Sequence, residues 1–272
     1  SNLTEEKMDL HLPPSENRPK RLHEAMRYSM FAGGKRLRPA LAFAAFEVFG
    51  GEGDDIFYAT SALEMFHTFS LIHDDLPCMD DDDFRRGKPT AHKQYDEATA
   101  VLSGDALCIL AFELIARTGI PECTTTIAKA LGTSGMIGGQ IIDIESEGKT
   151  VDLDTVRYIH YYKTAALIEA SLVLGAQIAK APQSQIDAIQ EYGKDIGLAF
   201  QVVDDILDIE STTEQLGKDA GSDVARGKAT YPSILGIEKS KEVARELHDK
   251  AIESLENISG DTTILKQIAH FI

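Results

Sequence analysis

The sequence predicts an all-α protein with ten or more helices. Along most of the 272 residues, apolar side chains recur at spacings of three to four, which is the period of an amphipathic helix. Alternation of period two with β-branched residues, the pattern of a strand, appears nowhere at length. Several segments are apolar nearly all round, which indicates buried helices that surround a centre.

The helical pattern is interrupted mainly by glycine and proline. Residues 21–33 and 38–50 each end at glycine, and Pro39 lies near the first turn of the second segment, as helices prefer. Further helices are predicted over residues 59–75, 98–117, 164–181 and 185–209.

One domain is predicted over residues 3–272, because the chain has no linker-like tract, low-complexity segment or internal repeat. Ser1 and Asn2 are interpreted as residues left by cloning.

Composition excludes several classes of partner. The net charge of −17 argues against nucleic acid and against an anionic membrane surface. The longest apolar runs are too short to span a bilayer, so no stable membrane insertion is expected. Three cysteines without a CxxC pair predict reduced thiols and a cytoplasmic location. An anionic substrate would need local positive sites or bridging cations.

The segment QVVDDILDIE (201–210) contains a DDxxD motif inside apolar sequence. In a helix, Asp204 and Asp208 lie one turn apart on one face, with Asp205 beside them. Two adjacent carboxylates repel each other unless a positive charge lies between them. A hard divalent cation with oxygen ligands is the natural occupant.

A second aspartate-rich segment, HDDLPCMDDDDFRRGKPT (73–90), has a different spacing. Asp74 and Asp80 are six residues apart, with Pro77 between them, so the helix must end or distort near the proline to bring Asp80 back. Asp74 and Asp75 then lie near a helix C-terminus, where the macrodipole disfavours negative charge. A compensating cationic ligand is therefore indicated.

Each acidic segment alone has a simpler interpretation as a solvated surface. A calcium-binding loop is a further alternative, although the D-x-[DN]-x-[DN]-G spacing is absent. The pair of motifs together favours the metal interpretation.

Basic residues cluster beside glycines or beside these aspartates, where they suit phosphate oxygens. These candidate anion-binding residues are Lys35, Arg36, Arg38, Arg85, Arg86, Lys88, Lys163, Lys218, Arg226 and Lys228. His67 precedes Asp74 by seven residues, nearly two helical turns, so both side chains project in the same direction. A buried core histidine is the alternative for His67.

With these motifs in hand, the chain resembles the trans-isoprenyl diphosphate synthases of the polyprenyl synthetase family, most closely the bacterial farnesyl diphosphate synthases. The resemblance runs nearly end to end through GGKRLRP (33–39), SLIHDDLPCMDDDDFRRGKPT (70–90), GGQIID (138–143), KT (163–164) and FQVVDDILD (200–208), followed by a GKD…GSD…GK loop. It implies an isoprenoid synthase fold with a large central cavity, and a homodimer.

The resemblance also implies a role for each motif. It assigns three Mg²⁺ ions, two on Asp74 and Asp80 with Asp75 in support, and one on Asp204 with Asp205 and Asp208 in support. The residues implied to hold the allylic diphosphate are Arg85, Lys163, Thr164, Gln201, Lys218 and Lys228. Those implied to hold isopentenyl diphosphate are Lys35, Arg38, His67 and Arg86. Gln140 and Asp143 would line the cavity.

The expected reaction is head-to-tail condensation of isopentenyl diphosphate with dimethylallyl or geranyl diphosphate. Asp74, Asp80, Arg85, Lys163, Asp204 and Lys218 are the expected catalytic residues. Mg²⁺ and basic side chains neutralise the charge that develops on the departing diphosphate, and a dry pocket protects the allylic cation from water.

Product length is expected to depend on Phe66, Phe69 and Ser70, which precede Asp74 on one helix. One helical turn rises about 5.4 Å, roughly one isoprene unit. Phe69 favours farnesyl diphosphate as product, with geranylgeranyl diphosphate as the alternative, and simple core packing of the rings is also open. A terpene cyclase and a non-catalytic synthase subunit are the remaining alternatives.

Overall fold

The computed structural model describes residues 2–210 and 228–271. Residue contacts divide the chain into two compact units. Unit 1 contains Ser1–Ala40 and Gly53–Pro121, and unit 2 contains Leu41–Glu52 and Glu122–Ile272. The prediction of one domain over residues 3–272 stays a prediction.

Unit 1 consists of helices and one short hairpin. Its elements are α1 (Asn2–His11), α2 (Lys20–Met30), α4 (Asp55–Asp74), β1 (Phe84–Arg85), β2 (Lys88–Pro89), α5 (Ala91–Gln94) and α6 (Glu97–Arg117). Helix α3 (Leu37–Val48) begins in unit 1 and continues in unit 2.

Every described secondary-structure element of unit 2 is a helix or a helical turn. Its elements are α7 (Pro121–Leu131, which starts at the last residue of unit 1), α8 (Met136–Ser146), α9 (Leu153–His160), a π-helical turn (Tyr161–Ala165), α10 (Ala166–Ile178), α11 (Gln183–Glu210), α12 (Tyr231–Leu235), α13 (Ile237–Ser254), a 3₁₀ turn (Leu255–Asn257) and α14 (Thr263–Phe271). The predicted all-α class is confirmed.

Helix α4 is the most buried helix of unit 1 and ends at the first aspartate motif. Its acidic residue Glu64 is buried and pairs with Arg36, whose Nη1 donates to Glu64 Oε2 at 2.8 Å. Arg36 Nη2 also donates to the Met30 carbonyl at 2.8 Å. Arg36, which the sequence grouped with the anion-binding residues, therefore serves as a counter-charge inside unit 1.

The hairpin formed by β1 and β2 presents the two arginines that follow the first motif. Phe84 pairs with Pro89 and Arg85 with Lys88. Arg86 and Gly87 form the turn, with φ of +53° and +75°. Positive φ at both central residues matches the right-handed twist of a tight hairpin.

Helix α6 is the one described helix that is long and apolar enough to cross a membrane, judged by length and composition. The sequence reading of the apolar runs as too short missed this helix. A core helix of a soluble protein passes the same criterion, and α6 packs along α4 within unit 1. The absence of stable membrane insertion stays a prediction.

The π-helical turn is fixed by two glycines that let neighbouring helices approach its backbone. A Cβ at Gly139 of α8 would lie 2.6 Å from the backbone nitrogen of Lys163. A Cβ at Gly197 of α11 would lie 2.8 Å from both Cα and Cβ of Ala165. Because these distances are too short for real contacts, α8 and α11 can pack here only with glycine.

We predict that Gly197→Ala destabilises the protein by about 1–3 kcal/mol, the usual cost of overpacking a tight contact. Urea unfolding followed by circular dichroism measures this change. Lys194→Ala, an exposed position of the same helix, is the control and should leave the midpoint nearly unchanged. Equal midpoints for Gly197→Ala and the unsubstituted protein would contradict the close-packing argument.

Candidate active site

The first aspartate motif turns back on itself after α4. The helix ends at Asp74, and the Asp80 N–H donates to the Asp74 carbonyl at 2.8 Å. Pro77 lies inside this turn and prevents continuation of the helix. The backbone thus brings together the two aspartates that the sequence separates by six positions, and both are half-buried.

Asp75 is held by Arg85 rather than left open. Arg85 Nε lies 2.7 and 2.9 Å from the two carboxylate oxygens, and Nη2 lies 2.5 Å from Oδ1. Asp75 is only 3% exposed, and this burial raises its pKa, while the Arg85 hydrogen bonds act to lower it. The planar guanidinium fits a carboxylate with two parallel hydrogen bonds. Asp75 therefore orients Arg85, and its predicted support of Mg²⁺ stays a prediction.

The residues expected to bind isopentenyl diphosphate form a positive region of unit 1. Burial lowers the pKa of Arg38 to about 10. Burial also lowers the pKa of His67 well below its ordinary value, and the charges of Arg38 and Arg86 add to this effect. His67 is therefore a neutral imidazole at pH 7. Lys35 is exposed on the segment before α3.

The Arg86 side chain contacts the pair of glycines, Gly33 and Gly34, that precedes α3. Its Nη1 donates to the Gly33 carbonyl, and a Cβ on Gly34 would meet the guanidinium carbon at 2.7 Å. Gly34 also has φ of +131°, which side chains rarely adopt. The glycines of GGKRLRP are thus required for the position of Arg86, a function that the sequence analysis missed.

The residues predicted to set product length belong to a buried aromatic cluster of unit 1. Phe66 packs edge-to-face on Phe112 with ring centroids 4.9 Å apart, and on Phe69 at 6.5 Å. Phe69 also contacts His73 at 5.8 Å. The Ser70 hydroxyl donates to the His67 carbonyl at 2.9 Å within its own helix. Their influence on product length stays a prediction.

The second aspartate motif opens onto a cavity of about 130 Å³ in unit 2. Asp204 lines it together with six other residues that the sequence analysis selected: Asp143, Lys163, Thr164, Gln201, Asp205 and Lys228. The Thr164 hydroxyl donates to Gln201 Oε1 at 2.9 Å, and Gln201 Nε2 donates to Asp205 at 3.1 Å. The structure therefore brings a carboxylate, two lysines and hydrogen-bonding side chains to one place.

The lysines of this cavity share one counter-charge. Lys163 Nζ lies 2.6 Å from Asp143 Oδ2, and Lys228 Nζ lies 3.9 Å from the same oxygen. Asp143 comes from the GGQIID segment of α8, which Gly139 allows to lie against the π-helical turn. Lys218, which the sequence analysis grouped with Lys163 and Lys228 as a ligand of the allylic diphosphate, lies outside the described residues. Asp208 is buried one turn beyond Asp204.

His160 is a cavity residue that the sequence analysis missed. It precedes the π-helical turn, stacks on Tyr231 with ring centroids 5.3 Å apart, and approaches Asp205 Oδ2 at 3.4 Å. Burial lowers the pKa of His160 to about 4, so the ring is neutral at pH 7. Asp205, 2% exposed, also accepts the Tyr231 N–H at 3.0 Å. The sequence offered only the position of His160, three residues before Lys163, as a signal.

The donor set suits Mg²⁺. Half-buried Asp74 and Asp80 supply carboxylate oxygens from one tight turn, and Asp204 supplies another at the unit 2 cavity. Mg²⁺ prefers oxygen ligands and retains water, and it is commonly held by one or two carboxylates together with substrate phosphates. The residues therefore fit the ion that the sequence analysis expected.

An all-helical fold with two aspartate-rich motifs beside lysine and arginine defines a class of metal-dependent enzymes that act on diphosphates. A family model described as polyprenyl synthetase matches residues 19–268. The chain belongs to the polyprenyl synthetase family. It is a prenyltransferase of isoprenoid biosynthesis that uses prenyl diphosphates and Mg²⁺.

The chain is similar to plant enzymes over most of its length. It is 50% identical over 250 residues to the chloroplastic geranylgeranyl pyrophosphate synthase of Capsicum annuum, covering 89% of this chain and 68% of the relative. It is 46% identical over 285 residues to the chloroplastic large subunit 1 of the heterodimeric geranylgeranyl pyrophosphate synthase of Arabidopsis thaliana, covering 100% and 76%.

Two solved bacterial structures share the fold. One is an FPP/GFPP synthase from Zymomonas mobilis, with a TM-score of 0.86 and 39% identity over 100% of this chain and 97% of that chain. The other is a geranyltransferase from Helicobacter pylori in complex with magnesium and isoprenyl diphosphate, with a TM-score of 0.87 and 33% identity over 99% and 92%.

One sequence-based prediction is wrong. The cytoplasmic location was inferred from unpaired cysteines, but the similar plant enzymes are chloroplastic. Reduced thiols report the redox state around a protein and do not distinguish one reducing compartment from another.

We predict that Arg85→Met destabilises the protein by about 1–3 kcal/mol, because it leaves the Asp75 carboxylate buried without its partner. Arg85→Lys should retain only part of the stability, since an ammonium cannot form the two parallel hydrogen bonds. Chemical denaturation measures both variants.

A double-variant cycle provides the control. Asp75→Asn combined with Arg85→Met removes the unpaired charge and should be more stable than Arg85→Met alone. Additive effects of the two substitutions would contradict a direct coupling.

Proposed function

We propose that this prenyltransferase is a geranylgeranyl diphosphate synthase, which extends allylic diphosphates with isopentenyl diphosphate to a twenty-carbon product. The observation that carries the proposal is the unit 2 cavity, where Asp204 lies with Lys163 and Lys228. Plant relatives 46–50% identical, named as a geranylgeranyl pyrophosphate synthase or as a subunit of one, support the twenty-carbon product.

The farnesyl product, favoured by the sequence analysis, becomes the second candidate. Phe69, five residues before Asp74, is the observation that favours it, and the Zymomonas mobilis relative is named an FPP/GFPP synthase. Phe69 packs within an aromatic cluster with Phe66 and His73. That packing role gives Phe69 a reason to be aromatic that does not depend on product length.

Three Mg²⁺ ions per site remain part of the proposal, on Asp74 and Asp80 and on Asp204. When bound, Mg²⁺ supplies Lewis-acid neutralisation of the charge on the leaving diphosphate. Asp205 and Asp208 are buried beside Asp204, and Asp205 is fixed by the Tyr231 N–H and by Gln201. These contacts hold the helix that presents Asp204.

Basic side chains hold and stabilise the diphosphate. Lys163 and Lys228 line the unit 2 cavity with Asp204. Arg85 is oriented by Asp75 in unit 1. Because their charges are already positioned, they stabilise the negative charge that develops as the carbon–oxygen bond breaks, with little reorganisation.

His67 in unit 1 and His160 in unit 2 are neutral imidazoles, so neither supplies a positive charge or an acidic proton. Burial lowers the pKa of His160 to about 4 and lowers that of His67 well below its ordinary value. Neither ring therefore carries an acidic proton at pH 7. The isopentenyl double bond attacks the allylic cation, and the proton lost from the adduct goes to the departing diphosphate.

The expected homodimer remains a proposal. The similar Arabidopsis thaliana protein is the large subunit of a heterodimeric enzyme, so relatives also associate with a different subunit. This chain carries both aspartate motifs, which favours an active enzyme over a non-catalytic synthase subunit.

We predict that Asp204→Asn lowers turnover at saturating substrate by about a hundredfold or more, because a metal ligand at the leaving group is lost. The assay follows incorporation of labelled isopentenyl diphosphate with Mg²⁺. Asp187→Asn, an exposed aspartate of the same helix, is the control and should retain full turnover. Full activity of Asp204→Asn, or none in the unsubstituted protein, would contradict the proposal.

We predict a twenty-carbon product when dimethylallyl and isopentenyl diphosphates are supplied with Mg²⁺, as measured by chromatography after dephosphorylation. Phe69→Ala should shift the distribution to longer chains if the ring limits the chain, and Phe112→Ala is a control for loss of aromatic packing. A fifteen-carbon product from the unsubstituted protein would favour the second candidate instead.

A further inference from the structure

A second group of potential metal ligands lies in unit 1 beyond the first aspartate motif. Asp81 and Asp83 follow Asp80, and His92 lies on α5 after the hairpin. Their ligand atoms, one carboxylate oxygen from each aspartate and one ring nitrogen, lie within 4.8 Å of one another. The reaction described above assigns no function to any of these side chains.

The hydrogen bonds of Thr90 determine the tautomer of His92. Thr90 Oγ1 lies 2.7 Å from the Asp82 carbonyl, which can only accept, so the hydroxyl proton is donated there. The same hydroxyl lies 3.1 Å from His92 Nδ1, and with its proton already committed it must accept from Nδ1–H. The lone pair of the imidazole is then on Nε2.

The lone pair on Nε2 is buried and unsatisfied. His92 is 8% exposed, and its Nε2 has no hydrogen-bond partner within the part of the chain that the structure describes. A buried acceptor without a donor is unfavourable. Metal-ligating histidines characteristically donate their other N–H to an oxygen, which is the arrangement that Thr90 imposes on His92.

A cation already sits at the edge of this group. Lys93 Nζ lies 2.8 Å from Asp83 Oδ1, and its side chain is 44% exposed. Lys93 compensates the Asp83 carboxylate, but it leaves His92 Nε2 without a hydrogen-bond partner among the described residues. Because it is exposed, its ammonium can move into solvent when a divalent cation replaces it.

We propose that Asp81, Asp83 and His92 bind a first-row transition-metal ion of the Zn²⁺ type, separate from the Mg²⁺ of Asp74 and Asp80. One imidazole with two carboxylates is a ligand set that Zn²⁺ accepts, with water in the fourth position. The imidazole disfavours Mg²⁺, which prefers oxygen ligands.

The bound ion ties the segment after Asp80 to α5. Two hydrogen bonds already join these regions, from Thr90 N to the Asp83 carbonyl at 3.0 Å and from Thr90 Oγ1 to the Asp82 carbonyl. The hairpin that carries Arg85 lies between the two joined ends. The bound metal therefore fixes the base of this hairpin, and in this way it positions Arg85 and Arg86.

Isothermal titration of the full chain with Zn²⁺ alone, in the presence of excess Mg²⁺, tests the proposal. We expect one site, with affinity lowered about tenfold or more by His92→Gln or Asp83→Asn. Lys93→Met should bind several-fold more tightly because the competing ammonium is gone. This gain guards against a loss that reflects misfolding. His23→Gln, at a half-buried histidine of α2, is the matched control.

The proposal is independent of the proposed reaction. Asp74→Asn should abolish prenyl transfer and leave Zn²⁺ binding unchanged, so the two can fail separately. Zn²⁺ affinity that is unchanged in His92→Gln, or that falls in Asp74→Asn alone, would overturn the site.

Discussion

Pairing of buried carboxylates with fixed positive charges is the interaction on which this protein depends. The chain carries a net charge of −17, yet it buries Asp75 and Glu64 in unit 1 and Asp205 in unit 2. Each has a positive or N–H partner: Arg85, Arg36 and the Tyr231 backbone. A buried charge without such a partner would be strongly destabilising. The partners of Asp75 and Glu64 thereby become ordered charges rather than mobile surface groups.

The same pairing prepares the residues for substrate. Lys163 is held by Asp143, and that contact depends on the approach of Gly139 to the π-helical turn. π-helical turns occur often at functional sites, and here the turn contains Lys163 and Thr164 next to His160. The acidic side chains set the positions of the lysines and arginines, so the site is ordered before an anionic substrate arrives.

Much of this arrangement was predictable from sequence because it depends on local spacing. The helices followed from apolar periodicity, and the return of Asp80 to Asp74 followed from Pro77. Lys163, Thr164, Gln201, Asp204 and Lys228, all selected from the sequence, line one cavity, and their roles stay predictions. The sequence did not reveal that Arg36 is a core counter-charge or that His160 lines the cavity. Both depend on contacts between segments distant in sequence, which spacing alone does not encode.

Product length and cellular location are two properties for which a single residue type was not enough to decide. Phe69 was interpreted through its position before Asp74, but its ring also packs on Phe66 and His73, so its identity reports packing as well as chain length. The unpaired cysteines indicated a reducing environment, which is shared by more than one compartment. In both cases one residue type satisfied two physical requirements, and the sequence could not separate them.

Calorimetric titration with inorganic diphosphate tests most directly whether this acidic protein recognises its substrate through cations held by carboxylates. We expect diphosphate to bind with Mg²⁺ present and to lose at least about tenfold in affinity when the metal is chelated. Without the metal, the positive charges of Lys163 and Lys228 are offset by nearby carboxylates and attract the anion less strongly. Equal affinity with and without Mg²⁺ would contradict the account.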